Sequence, residues 1–195
     1  AFSSCRGLTL HEKIPSSVTV GQNLFKDIHT SFLCSNNTDD NCARFKVPAS
    51  GNTIPDFAFS EASFLIGKLD ISNEVIYIGS SAFHGCTNLK DQLDIPSNVK
   101  TIGKFAFAGC SGFDKGLFIS DQVTDIGIGA FSGCSGFTKT LHISGSVSII
   151  KKYTFYGCSG FTGKLYIPSQ VKTIESGAFW RCSGFTGELQ LPIAL

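Results

Sequence analysis

Residues 93–113 read LDIPSNVKTIGKFAFAGCSGF, and this pattern returns every 24 residues through most of the chain. Cys86, Cys110, Cys134, Cys158 and Cys182 mark the period, each with a Phe three residues upstream. Ala precedes that Phe in four of the five copies, and Thr154 takes its place in the other. Leu69, Leu93, Leu117, Leu141, Leu165 and Leu189 share the spacing, as do Val75, Val99, Val123, Val147 and Val171. Agreement of so many apolar columns at one period makes the chain a repeat array, which overrides any estimate of domain number from its 195 residues.

The local chemistry predicts the shape of one repeat. Leu-x-Ile alternation is a short strand with one face inward, and Pro96 or Pro168 ends it by removing a donor and fixing φ. Gly103, Gly127 and the Ser-Gly pairs after the later cysteines are expected to form the tight corners of a coil. About eight apolar side chains turn inward per coil, at roughly 1.5–3 kcal/mol each if fully buried, yet a single coil cannot cover its own core. Stacking is therefore obligatory. Parallel pairing at about 4.8 Å per coil would make about eight coils a rod or shallow arc roughly 40 Å long.

The pattern also reaches backwards. Phe45-x-Val47-Pro48, Ile54 and Ala58-Phe59 fit one more coil, and Gly21, Leu24-Phe25 and Ile28 fit an earlier one. Ala1-Phe2-x-x-Cys5 matches the end of the coil before that. From Ile28 to Ala62 the spacing is 34, so ten residues are inserted around the polar stretch from Cys34 to Cys42. The expected organisation is a single solenoid over 1–195, with irregular coils at 1–44, an insert at about 31–44 and regular repeats at 45–195.

The motif Ile-Pro-x-x-Val-x-x-Ile-Gly-x-x-Ala-Phe-x-x-Cys resembles the BspA-type leucine-rich repeats of surface proteins in oral bacteria. The Cys-Ser-Gly-Phe-Thr variant is similar to copies in unicellular eukaryotes such as trichomonads. The resemblance is specific over 45–191 and degraded over 6–44. It implies a curved leucine-rich-repeat solenoid, a right-handed coil with a parallel β-sheet and little helix. It also implies adhesion and protein contact on an extracellular or cell-surface protein, with no catalytic residues.

Three groups of residues compete for a role. The cysteine ladder reads as small buried hydrophobes at a coil corner; a straight column of sulfurs is a poor tetrahedral metal site, and parallel Cβ vectors disfavour disulfides between rungs. Cys34 and Cys42 differ, because they bracket the insert outside the ladder. A local disulfide is expected there, with an oxidising compartment and glycosylation of Asn36 in the sequon Asn36-Asn37-Thr38. The third group is the residue between the inward Leu and Ile of each strand, which reads Lys46, Asp70, Asp94, Phe118, His142, Tyr166, Gln190. Phe118, His142 and Tyr166 form either a recognition patch or a run of aromatics packed along the sheet. Tyr156 beside Trp180 is a second stack, for which packing is the preferred reading.

Composition narrows the partners. A net charge of +1 with 16% charged residues supplies no basic stripe for nucleic acid, and no apolar run is long enough to span a membrane. The four histidines fall at unrelated phases of the repeat, and no triad, carboxylate pair or phosphate loop emerges, so neither enzyme chemistry nor a cofactor or metal is expected. The chain holds no Met, as a processed chain or a fragment would. Neither end carries a polar cap, so Leu189, Leu191 and Leu195 are expected to pack on Ala1, Phe2 and Leu8 of another copy in a head-to-tail filament. The alternative is an adhesion module of a longer surface protein, contacting other surface proteins or glycans.

Overall fold

A computed structural model describes residues 44–47, 52–63 and 65–193. The strands are β1 (Arg44–Val47), β2 (Thr53–Ile54), β3 (Gly67–Ile71), β4 (Tyr77–Ile78), β5 (Leu89–Lys90) and β6 (Leu93–Ile95). They continue as β7 (Thr101–Ile102), β8 (Leu117–Ile119), β9 (Asp125–Ile126), β10 (Leu141–His142), β11 (Ile149–Ile150) and β12 (Thr173–Ile174). Every pairing is parallel, in sheets ordered β1-β3-β5, β6-β8-β10, β2-β4-β7-β9 and β11-β12. The fold is a β-solenoid of about five turns, with no helix among the described residues.

The coils around β3, β6 and β8 each contribute one Leu-x-Ile strand and, at β4, β7 and β9, a two-residue strand ending in Ile. In β8, Leu117 and Ile119 are buried on either side of exposed Phe118, as alternation requires. The register is the sequence period: Leu93 pairs with Leu117 and Leu117 with Leu141, so like sits on like. Phe59, Phe83, Phe107, Phe131, Phe155 and Phe179 stack successively at 5.1–5.6 Å between ring centroids. A second ladder runs Phe113, Phe137, Phe161, Phe185 at 4.9–5.6 Å. Near-parallel, offset pairs of this kind add about 0.5–1.5 kcal/mol each beyond burial.

Hydrogen bonding between coils extends beyond the strands. The Phe83 N–H donates to Ala106 O at 2.7 Å and the Phe107 N–H to Ala130 O at 2.8 Å, so the turns also form ladders. At the Ala-to-Thr exception, Thr154 is buried and its hydroxyl donates to Lys151 O at 2.9 Å, which satisfies the added polar atom.

The glycines at 103 and 127 do not have the corner role their sequence context implied. Neither has positive φ. The left-handed corners lie elsewhere, at the residue before Ala-Phe or Thr-Phe and at the residue before Cys, which is Gly85, Gly109, Gly133 or Gly157 in four copies and Arg181 in the fifth. Gly103 and Gly127 instead permit close approach: a Cβ on Gly127 would lie 2.5 Å from Gly103 C and from Lys104 N. The Ser-Gly glycines act likewise, since a Cβ on Gly136 would lie 2.1 Å from Ser111 O.

The cysteine ladder has a hydrogen-bonding role in addition to packing. Cys86, Cys110, Cys134 and Cys158 are buried free thiols, and Cys182 is half-buried and free. Each donates to a carbonyl of the preceding coil: Cys110 Sγ lies 3.0 Å from Phe83 O, which also accepts the Cys86 N–H at 3.2 Å. The contact recurs from Cys86 to Phe59 O and from Cys182 to Phe155 O. A small apolar side chain with one weak donor fits a buried carbonyl that has a free lone pair. Burial pushes the Cys110 thiol well up, and the adjacent Cys134 thiol followed by burial does the same for Cys158. Burial, reinforced by Cys158, moves Cys182 from 9.0 to about 12.

Gly127→Ala is expected to cost about 3 kcal/mol by overpacking. Gly145→Ala should stay within about 0.5 kcal/mol, because a Cβ there meets only Asp121 Oδ1 at 3.4 Å; urea denaturation of both variants measures the difference. The Cys182 thiol predicts an alkaline loss of stability. Folded Cys182 holds a proton that the unfolded chain releases between pH 9.0 and about 12, so its contribution to stability falls as pH rises through that window and is constant below it. Unfolding free energies of the wild type and Cys182→Ser across the window should diverge, with the shallower slope in the variant.

Candidate functional site

Inward positions are spent on the core, so binding chemistry must come from outward columns. Parallel pairing assembles the strand column directly: Lys46 lies opposite Asp70, Asp94 opposite Phe118, and Phe118 opposite His142. Tyr166 is bridged to Gln190 one coil on. The 24-residue offset holds on the approach to Tyr166, where the Thr162 hydroxyl donates to Thr138 O at 2.9 Å.

Two of the three aromatic rungs are in ring contact. Phe118 and His142 stack at 4.6 Å between centroids with 8° between planes. Phe118 is 44% exposed and Tyr166 63%, so the column presents apolar ring surface to solvent. His142 Nε2 lies 3.6 Å from Asp121 Oδ1, a contact too long for a hydrogen bond, and the atom is itself inaccessible and unpaired. Asp121 is anchored by the Gly145 N–H, which donates to the same oxygen at 2.7 Å. Towards β6 the column turns acidic. Asp94 there accepts from the Gln92 side-chain amide and lies 3.5 Å from Lys68 Nζ. Beside it Lys115 hydrogen-bonds Asp91 at 2.8 Å, which with the Gln92 N–H holds that carboxyl below its ordinary value.

The second aromatic group is larger than the Tyr156–Trp180 pair read from the sequence. Tyr156 meets Trp180 edge-on at 5.6 Å and Tyr153 edge-on at 5.8 Å. The Arg181 guanidinium lies 5.4 Å from the Trp180 ring centroid and 5.8 Å from that of Tyr156, within cation–π range. Trp180 is 59% exposed, and a cavity of about 440 Å³ opens beside it, lined also by Tyr153, Glu175 and Ser176.

A third column was not singled out from the sequence. The residue immediately before Ala-Phe or Thr-Phe reads Phe57, Ser81, Phe105, Gly129, Tyr153, Gly177, so aromatic and small residues alternate. The alternation is visible in the repeat alignment, but its exposure requires the structure.

Other expected sites lie outside the described residues: the Cys34–Cys42 disulfide, glycosylation at Asn36, and the assembly residues Ala1, Phe2, Leu8 and Leu195. Leu189 and Leu191 are described, and both are exposed. Among the described residues no group of three or more His, Cys, Asp or Glu could hold a metal ion, and no helix is long and apolar enough to cross a membrane.

A family model described as the BspA type leucine rich repeat region matches residues 52–186 in six copies. Among solved structures, a leucine-rich repeat protein from Bacteroides ovatus ATCC 8483 matches with a TM-score of 0.55 at 23% identity, over 82% of this chain and 48% of that one. A leucine rich cell surface protein from Faecalibacterium prausnitzii A2-165 matches with a TM-score of 0.46 at 16% identity, over 74% of this chain and 60% of that one. The chain thus spans about half to three-fifths of those proteins, and the likeness is one of fold. No curated protein matches it.

Proposed function

Because the chain belongs to the BspA-type leucine-rich-repeat family, we propose that it is a non-enzymatic binding module of an extracellular or cell-surface protein, holding partner proteins on its strand face. The observation that carries this reading is the stacked pair Phe118 and His142 on adjacent strands, and the 24-residue period extends the same column to Tyr166. Phe118 stands between buried Leu117 and Ile119, and His142 between buried Leu141 and Ile143, so the core already has its apolar residues without them. A pre-stacked pair, Phe118 exposed and His142 half-buried, bordered by the acidic rung Asp94, has the composition of an interface centre with a polar rim. The rigid stack also lowers the ordering cost of binding.

A second reading concerns assembly with itself. One edge of a coil of this repeat is complementary to the opposite edge of any other coil of the same repeat, as the stacking within the chain illustrates. Head-to-tail stacking would set Leu189, Leu191 and Leu195 against Ala1, Phe2 and Leu8 of the next copy.

Replacing Phe118, His142 and Tyr166 together by Ser should leave the fold intact and reduce capture from a panel of immobilised extracellular proteins by about tenfold or more. Unchanged capture would make the rings surface packing alone. Electron microscopy of the native protein tests self-assembly: fibres with an axial repeat near 40 Å, about eight coils at roughly 4.8 Å each, are expected. A monodisperse monomer at high concentration, or a native mass showing further polypeptide, would replace it with the adhesion reading.

A further inference from the structure

We propose that the residues preceding Ala-Phe and Thr-Phe form a second binding face, a row of aromatic platforms for the flat sugar rings of an extended β-1,4-linked glycan. The backbone there is left-handed at all six positions, with φ of 57° at Phe57, 53° at Ser81, 53° at Phe105, 63° at Gly129, 57° at Tyr153 and 70° at Gly177. Glycine is the residue this conformation favours, and a bulky side chain in it is an outlier. Three of the six positions nevertheless carry an aromatic ring. Burial accounts for only part of each ring, since Phe57, Phe105 and Tyr153 are 41%, 42% and 41% exposed. Strained backbone retained beneath exposed rings at regular intervals is a mark of a functional surface.

The geometry of the row selects its occupant. A Cβ on Gly129 would lie 2.3 Å from Phe105 Cε1, and one on Gly177 would lie 2.5 Å from Tyr153 Cε1. Each of these two rings is therefore laid along the solenoid axis over the next coil, and the small residue between aromatics is what lets it lie there. The rings recur every second coil, about 10 Å at roughly 4.8 Å per coil. Successive sugars in an extended β-1,4-linked chain are turned over, so the same C–H face recurs once per disaccharide, a length close to this spacing. The polarised C–H groups of a pyranose face complement the negative face of an aromatic ring. Exposed Lys104, Lys152 and Ser176 lie next to the row in sequence and supply donors for the sugar hydroxyls. The cavity beside Tyr153 continues the row with Trp180 and the Glu175 carboxylate.

Polyproline peptides also repeat at roughly 9 Å, but they are held in grooves between aromatic rings. Here the intervals at Gly129 and Gly177 are filled by the rings themselves, which favours a flat ligand. The row shares no residue with the strand column, so the two proposals fail independently.

Calorimetric titration with cellohexaose, chitohexaose, α-1,4-linked maltohexaose and a decaproline peptide tests the assignment. Phe105→Gly and Tyr153→Gly are the informative variants, because glycine relaxes the backbone at these positions and the fold is retained. At least one β-1,4-linked hexasaccharide should bind, maltohexaose should bind about tenfold more weakly or not at all, and each variant should lose about tenfold in affinity with an undiminished Tm. The proposal is overturned if neither β-1,4-linked sugar binds, if both variants bind as tightly as the wild type, or if decaproline binds in their place.

Discussion

Adjacent coils approach closely enough for their backbones to touch, and this contact governs which residues each position accepts. The Gly103 N–H donates to Ile78 O at 2.7 Å and the Gly127 N–H to Ile102 O at 2.8 Å, which sets the distance between turns. At that distance a Cβ on Gly79, Gly103 or Gly127 would collide with backbone of the coil before it. Parallel strands hold their neighbours at about the same separation, so turns and strands impose a common rise. Identical side chains must then stack on each other without a change of register, and the two Phe ladders follow from that requirement.

The same constraint explains the thiols. A coil turn leaves carbonyls facing inward, and each accepts one backbone N–H of its own turn, as Phe83 O does from Cys86, with a second lone pair left over. Cys in the next coil brings an Sγ to 3.0 Å from the Phe83 and Phe107 oxygens while adding little volume. Burial also holds the Cys110 thiol well above its ordinary range, which keeps it protonated and makes it a poor nucleophile or metal ligand. The cysteines thus satisfy carbonyls of the core, and function is left to the outward columns.

Those outward columns lie outside the packed core, and the solenoid converts them into linear arrays. Asp94, Phe118 and His142 lie far apart in sequence but become direct neighbours across β6, β8 and β10. Phe105 and Tyr153 likewise become two stations of one row, with Gly129 between them. A one-dimensional stack turns each repeat position into a line on the surface, so a preference distributed over the chain becomes a continuous face.

The sequence by itself determined the repeat, its register, the inward columns and the parallel strands, because a 24-residue period of apolar residues has only one arrangement that buries all of them. It also aligned Phe118 with His142 on adjacent outward rungs, since strand alternation is a local rule. Only the tertiary structure decided the rest. Gly127 looked like a corner residue, but its role depends on backbone of the preceding coil; Cys110 looked like filler, but its partner is Phe83 O, 27 residues earlier. Phe105 and Tyr153 were unremarked because neither φ nor exposure can be read from residue identity, and a row of exposed rings exists only once the coils are stacked.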